Sequence, residues 1–316
     1  MRTRWAPRRQ QTWPEPDLEL PPRARLQPYP RFLRPVPGRE ALARDLAALR
    51  VTAGRTVLVH SAMAAVAPPR SPWGGRPDTA PVAAAVLGAL RDVLGPDGTV
   101  VVPAFTASNS NTSRTYRERT AGMNPGELAD YRSSMPPFDP ARSPSEGIGR
   151  FAELVRLAPG ALRSGHPQTS FAALGAKAAR LVERHDEDCH LGDASPLGRL
   201  YDEDALIVMI GTGYDACTAF HLAEYRIPDP PRREYSCVVR RPGGAEWFTY
   251  RDVVLDDDDF AELGAAFERA DAGSTEPGVR HGRVGQAGAR AVRLRDAVDF
   301  AARWLAENRL GARAAI

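Results

Sequence analysis

Lysine is nearly missing from this chain of 316 residues: of 42 basic side chains, Lys177 is the single lysine and the rest are arginines. The side chain that most often holds phosphate as a point charge, or forms Schiff bases, is therefore absent almost everywhere. Anion binding falls to arginine and to backbone amides. Net charge is small, +3 at pH 7, and the arginines are scattered, which argues against a nucleic-acid partner. Cysteine is scarce too. Three residues (Cys189, Cys217, Cys237), an odd count with no CxxC spacing, exclude a disulfide framework in so long a chain and fit a reducing cytoplasm. There is no apolar run of about 18 residues. No apolar stretch follows the basic N-terminal segment, so the expectation is an unexported protein without a membrane partner. Neither G-x-x-x-x-G-K-[ST] nor G-x-G-x-x-G occurs, which disfavours nucleotide hydrolysis and Rossmann dinucleotide binding.

A hydrophobic content of 43% with 26% charged residues is globular. The first forty residues hold nine of the 29 prolines, which predicts an extended arm over residues 1–38 ahead of one domain over 39–316. Trp5, Trp13, Tyr29 and Phe32 of the arm can pack on the body or on a second copy, so a homodimer is open. "REALARDLAALRV" predicts a helix and "RTVLVHSAM" a buried strand. "DTAPVAAAVLGAL" predicts a helix capped by Asp78 or Thr79 with Pro81 in its first turn, and "TVVVPAF" a second strand. Strand, helix, strand at this spacing is a βαβ unit with parallel pairing. Thr106 to Pro144 reads as a long polar loop with one helix near "ELADYRSSM". Beyond it come a helix "GIGRFAELVRLA", a strand "TSFAALG", a helix "AKAARLVERH" and the strand "ALIVMIGTG". An antiparallel hairpin is expected near 234–255, then tail helices "DDDFAELGAAFERA" and "LRDAVDFAARWLAENR", with "HGRVGQAGARAVRL" a strand between them. The expected fold is a three-layer α/β/α sandwich around a mostly parallel or mixed sheet.

The chemistry concentrates in "TAFHLAEYR", directly after the strand "ALIVMIGTG". With Thr218 as N-cap, His221 occupies the third helical position and Glu224 lies one turn further on the same side. A helix N-terminus disfavours imidazolium and keeps a histidine neutral, as a proton acceptor must be. Asp215 or Glu224 can then orient the ring. A plainer reading has His221 packing the turn and Glu224 pairing with Arg226. A metal-dependent hydrolase is a third, since His-x-x-Glu offers two ligands and "DEDCHLGD" adds Cys189 and His190; no HExxH, CxxC or HxH spacing supports it. "VHSAM" puts Ser61 and backbone amides after a strand, and "SPSEGIGRFAEL" puts Ser143, Ser145 and two glycines before a helix. Both patterns suit an oxyanion, and both occur as ordinary turns. His166, in "RSGHPQTSF", is a second candidate base with a structural role as its alternative.

In order, "VLVHSAM", "DTAPVAAAVLGAL", "LGPDGTVVVPAFT", "MPPFDPARSPSEGIGRFAELVR", "LRSGHPQTSFAALG", "LGDASPLGRLY" and "VMIGTGYDACTAFHLAEYR" resemble the aminoglycoside 3-N-acetyltransferase family, from about Glu40 to Arg303. The resemblance implies transfer of acetyl from acetyl-CoA to an amine, in the family the 3-amino group of 2-deoxystreptamine, without a metal. It implies that His221 is the catalytic base, with Asp215 and Glu224 as polar support. Ser61, Ala62 and Met63, with Ser145, Ile148, Gly149 and Arg150, are the implied coenzyme A contacts. Asp215, Glu224 and His166 are the expected contacts to a cationic aminoglycoside. The chain departs from the family in "HSAM", where two serines are usual, and in "CTAFH", where many members carry asparagine, threonine and serine. The first removes a hydroxyl from the coenzyme loop and the second alters the floor of the acceptor site. A non-catalytic coenzyme A-binding protein on the same fold is the further alternative.

Overall fold

The computed structural model describes residues 37–66 and 78–310, so the expected arm lies, up to residue 36, outside the described residues. The strands are β1 (Thr56–Ser61), β2 (Thr99–Pro103), β3 (Leu162–Arg163), β4 (Phe171–Gly175), β5 (Leu206–Ile210), β6 (Arg232–Arg241), β7 (Gly244–Val253), β8 (Arg280–Val284) and β9 (Ala287–Arg293). The helices begin with α1 (Arg39–Ala48), α2 (Met63–Val66), α3 (Ala80–Leu94), α4 (Arg114–Thr120), α5 (Pro125–Ser134) and α6 (Arg150–Leu157). They continue with α7 (Ala178–Val182), α8 (Pro196–Asp202), α9 (Phe220–Arg226), α10 (Phe260–Ala272) and α11 (Leu294–Leu305), which runs into a π-helical turn at Ala306–Leu310. None of these helices is long and apolar enough to cross a membrane.

Seven strands form one sheet in the order β3-β4-β2-β1-β5-β9-β8. β1 pairs in parallel with β2 and β5, while β4, β9 and their outer neighbours pair antiparallel. The sheet is therefore mixed, with a parallel centre and antiparallel flanks. Side chains alternate across it, as strand geometry requires. Val57, Val59, Val208 and Ile210 pack under α1, α3 and α6, and Leu58, Ile207 and Met209 pack under α7 to α11. Three layers result, since each fully buried aliphatic side chain contributes about 1.5 to 3 kcal/mol and both sheet faces are apolar.

The hairpin forms at 232–253 as a separate two-stranded sheet. "HGRVGQAGARAVRL", expected as one strand, folds into the β8–β9 hairpin around Gly285 (φ 60°). α7 stops at Val182, short of the expected "AKAARLVERH" helix. The polar segment from Thr106 carries two α-helices rather than one, after a 3-10 turn at Ala107–Asn109. α4 is capped by Ser113, whose hydroxyl accepts from the Tyr116 N–H, and α5 by a capping box of Asn124 and Glu127. This segment is tied to β6 by two asparagines. The Asn109 Oδ1 accepts from the Val238 N–H (2.8 Å) and its Nδ2 donates to the Val238 carbonyl (2.9 Å). Asn111 does the same at Ser236, through its Oδ1 (2.8 Å) and its own backbone N–H (3.1 Å).

Candidate active site

β1 has parallel neighbours on both sides, so the chain leaves its carboxyl end beside two diverging connections, the position where open α/β sheets form a crevice. A cavity of about 460 Å³ lies there. It is bounded by His60 and Ser61 at the end of β1, Phe105 beyond β2, the 212–218 turn beyond β5, the loop Gly147–Gly149, His221 on α9, and Phe260 on α10. A second cavity of about 850 Å³ adjoins it and shares Phe105, Gly147, Ile148 and Asp257. Acidic groups border both: Asp215 and Asp257 in the first, Glu146, Asp256, Asp257 and Asp258 in the second, where Arg117, Arg233 and His190 also face the space.

His221 is the second residue of α9, not the third: the chain makes a 3-10 turn at Tyr214–Ala216, and Ala219 rather than Thr218 precedes the helix. Glu224 still falls on the same side, and its Oε2 lies 2.7 Å from the His221 Nδ1. A carboxylate only accepts, so Nδ1 donates, and Nε2 is left without a protein partner among the described residues, on a ring that borders the cavity. The ring packs 4.8 Å from Phe260. Glu224 does not pair with Arg226, which reaches Asp193 (2.6 Å) and lies over the Tyr201 ring. Instead, Glu224 is 1% exposed and its Oε1 accepts from Arg309 Nη1 (2.6 Å) and the Asp256 N–H (3.0 Å). Asp215 borders the same cavity, but its carboxylate folds back against Gly213, and among the described residues the ring bonds Glu224 rather than Asp215. His60 also borders the cavity. Burial above all, with a smaller contribution from the neighbouring His221 ring, pushes it down to about 4, and among the described residues its Nε2 has no hydrogen-bond partner, so it is a neutral imidazole.

The two loops singled out as coenzyme contacts meet at this cavity. Ser61, Ile148 and Gly149 border it. Gly147 and Gly149 take φ of 74° and 85°, a region closed to most side chains, and Gly149 comes close to the Ser61 carbonyl. Gly211 (φ 71°) leaves room for α2, since a Cβ there would meet Ala65 at 2.7 Å. Other expected contacts are engaged elsewhere. The Ala62 N–H donates to the Ile210 carbonyl (2.9 Å), extending the β1–β5 ladder. Met63 is 5% exposed and belongs to the core. The Ser145 hydroxyl and N–H both donate to Glu153 Oε2 (2.6 and 3.0 Å). With the Arg156 guanidinium, those donors hold the Glu153 carboxyl at about 2 despite its partial burial. Arg150 begins α6, exposed, and borders neither cavity.

His166 corrects an expectation. It is 0% exposed, and its Nδ1 accepts from the Gln168 and Thr169 N–H groups (3.2 and 3.0 Å). Its ring packs, tilted, between those of His185 and His190, 4.7 and 4.8 Å away, and burial holds it well below the ordinary histidine range. It reaches neither cavity. The "DEDCHLGD" segment does not supply ligands beside His221 either. The His190 Nδ1 donates to Asp252 (3.0 Å) and its Nε2 lies 2.9 Å from the Tyr250 hydroxyl, and burial pushes the Cys189 thiol up to about 11. Among the described residues no group of three or more His, Cys, Asp and Glu is arranged to hold a metal ion.

Several site residues escape the sequence patterns. Phe260 and Asp256–Asp258 lie in "VLDDDDF", whose run of four aspartates is a signal for a cation-attracting edge. Arg309, 85 positions from Glu224, carries no local signal.

The family model for aminoglycoside 3-N-acetyltransferase matches residues 58–306. The chain is 34% identical over 274 residues to the SPbeta prophage-derived aminoglycoside N(3')-acetyltransferase-like protein YokD of Bacillus subtilis, covering 85% of this chain and 93% of that protein. It is 34% identical over 294 residues to aminoglycoside N(3)-acetyltransferase VII of Streptomyces paromomycinus, covering 86% and 92%. The crystal structure of YokD superposes with a TM-score of 0.76 (31% identity, 86% of this chain and 94% of that one). The structure of AAC-IIIb with CoASH superposes at 0.69 (31%, 86% and 97%), and AAC-VIa bound to sisomicin at 0.70 (31%, 85% and 97%).

Proposed function

Because the chain belongs to the aminoglycoside 3-N-acetyltransferase family, and is thus an N-acetyltransferase, we propose that it moves acetyl from acetyl-CoA to an amino group of an aminoglycoside or related amine, with His221 as general base. The 3-amino group of a 2-deoxystreptamine ring is the proposed position, and residues 39–316 the single catalytic domain. The observation that carries this reading is a histidine fixed at Nδ1 by a buried carboxylate, with Nε2 left to a cavity at the carboxyl ends of three parallel strands.

An ammonium cannot attack a thioester. The site must take a proton from the amine as the C–N bond forms, and the Nε2 lone pair of His221 suits that step. The imidazolium so formed sits against the Glu224 carboxyl group, which is already oriented toward it. Collapse of the tetrahedral adduct breaks the C–S bond as the imidazolium gives its proton to the departing sulfur, which releases coenzyme A as thiol and returns His221 to its starting state. Holding amine and thioester together supplies much of the acceleration. The coenzyme is assigned to the first cavity, along Ser61, Ile148 and Gly149, where the glycine loop lets a ligand approach the backbone. Complexes of relatives with CoASH and with sisomicin support both ligand classes. The acceptor is assigned to the second cavity. Its carboxylates, with Asp215, attract a polycation, as focused negative potential does.

The test is thiol release from acetyl-CoA across a panel of amines that starts with sisomicin, gentamicin-type and kanamycin-type aminoglycosides. Acceptor-dependent release with a mono-acetylated product is the expected result. Calorimetric binding of coenzyme A without turnover of any amine would replace the enzyme reading with that of a binding protein.

A further inference from the structure

We infer that Arg309 is a positioning residue for the catalytic pair: it holds Glu224 as a fixed anion and offsets the pull of that anion on the His221 proton. The inference rests on His221 being the base, and it concerns a residue beyond position 306, where the family match ends. The geometry is specific. Arg309 sits in the π-helical turn that follows α11, and its guanidinium is clamped on three sides. Its Nε and Nη2 form a fork onto the Asp259 carboxylate (2.7 and 2.5 Å), Nη2 also donates to the Asp256 carbonyl (2.6 Å), and Nη1 donates to Glu224 Oε1 (2.6 Å). The opposite oxygen of the same carboxylate receives His221 Nδ1. One buried carboxylate thus links a permanent cation to an imidazole.

The electrostatic consequence follows from charge count. A carboxylate that is 1% exposed and has no cation beside it takes up a proton or draws one onto its histidine, and in either state the pair holds the proton that a general base must lack. A guanidinium against its far oxygen weakens that demand. Other titratable groups face the pair from neighbouring elements: His60 from β1, Asp215 from the turn after β5, Asp257 and Asp259 from the segment ahead of α10, and His190 from the loop ahead of α8. His60 is neutral, and His190 is engaged with Asp252. The aspartates reinforce the demand for a proton, so among the described residues Arg309 is the cation in contact that opposes it.

The experiment compares Arg309→Met and Arg309→Lys in the full chain. One readout is the titration of the His221 ring by nitrogen NMR, assigned by its loss in His221→Ala. The other is the pH profile of acetyl transfer to whichever amine of the panel is turned over. The Met variant is expected to titrate at least roughly half a pH unit higher, to move the rising limb of kcat/KM by the same amount, and to lose about tenfold in kcat near neutrality with KM for acetyl-CoA unchanged. The Lys variant, which keeps the charge without the fork, is expected to restore the parent limb with a kcat loss of about threefold. An unmoved titration in a natively melting Met variant overturns the inference, as does a Lys variant as shifted as Met. If Met does not fold, Arg309→Gln, neutral yet able to donate, supplies the same comparison with Lys. Full turnover in His221→Ala would instead remove the base assignment while leaving the titration result standing.

Discussion

Two histidine–carboxylate pairs stand on the same side of the sheet, and they differ in what is left over. His190 binds Asp252 through Nδ1, while Tyr250 closes on its Nε2 and the Tyr225 hydroxyl also donates to Asp252. Both partners are 2% exposed in their side chains. His221 binds Glu224 in the same way, but its Nε2 borders a cavity and its side chain is 13% exposed. The first pair is a closed buried network that fixes the hairpin strand β7 to the body, although its histidine backs the second cavity. The second leaves one ring nitrogen without a protein partner among the described residues, beside the first cavity. Local composition does not separate structure from chemistry here; the remaining nitrogen does.

The unpartnered nitrogen of His221 is where the two pairs part most. His221→Ala is expected to lower acetyl transfer by at least about 100-fold with the melting temperature preserved, measured by thiol release; turnover near the parent rate would cancel the distinction. Acid sharpens it from the buried side. Burial presses His60 down to about 4 and His185 to about 3. Between their unfolded values near 6.5 and those figures, the unfolded chain binds more protons than the folded one, so stability falls as pH drops through that window. His60 alone accounts for a loss on the order of 3 kcal/mol between pH 6.5 and 4. Urea midpoints at pH 7, 5.5 and 4 check this, and a flat series contradicts neutral burial. His190→Phe strands Asp252 with fewer donors. It is expected to cost about 2 kcal/mol of stability and, because His190 backs the second cavity, to raise KM for the amine while kcat stays within about threefold. A loss of activity as deep as that of His221→Ala would mean that the second pair takes part in chemistry. Smallest is Glu224→Gln, which keeps a hydrogen-bonding partner but removes the charge that stabilises imidazolium. About a tenfold fall in kcat is expected, and none at all would mean that the carboxylate is only structural.

Much of this site was legible in one dimension. Three residues apart on a helix is a contact, so His221 and Glu224 could be paired from "HLAE" alone, and the strands announced themselves as apolar runs ending in polar or glycine-rich turns. What failed did so for physical reasons. Thr218 has the chemistry of an N-cap, but its N–H turns back to the Ala216 carbonyl and the helix begins later. α4, "RTYRERT", has Tyr116 as its single buried residue, so no apolar stripe marks it. "GHP" reads as a loop and left His166 open to a catalytic or a structural role; the ring is enclosed because its nitrogen caps the backbone of the turn that follows. Asp256, Asp259 and Arg309 join Glu224 through tertiary folding, and nothing in their own neighbourhoods points to one another.

The asparagines at 109 and 111 have an evolutionary corollary. By standing in for a missing strand along β6, they join the wall of the larger cavity to the main chain of the hairpin opposite, so the constraint falls on Asn109 and Asn111 while the facing β6 side chains stay free to change. A chimera that transplants a 106–144 segment without amide side chains at these two positions leaves β6 amides and carbonyls unpaired on the seam. Reshaping the cavity wall therefore calls for keeping these two asparagines and varying the residues between them and α6.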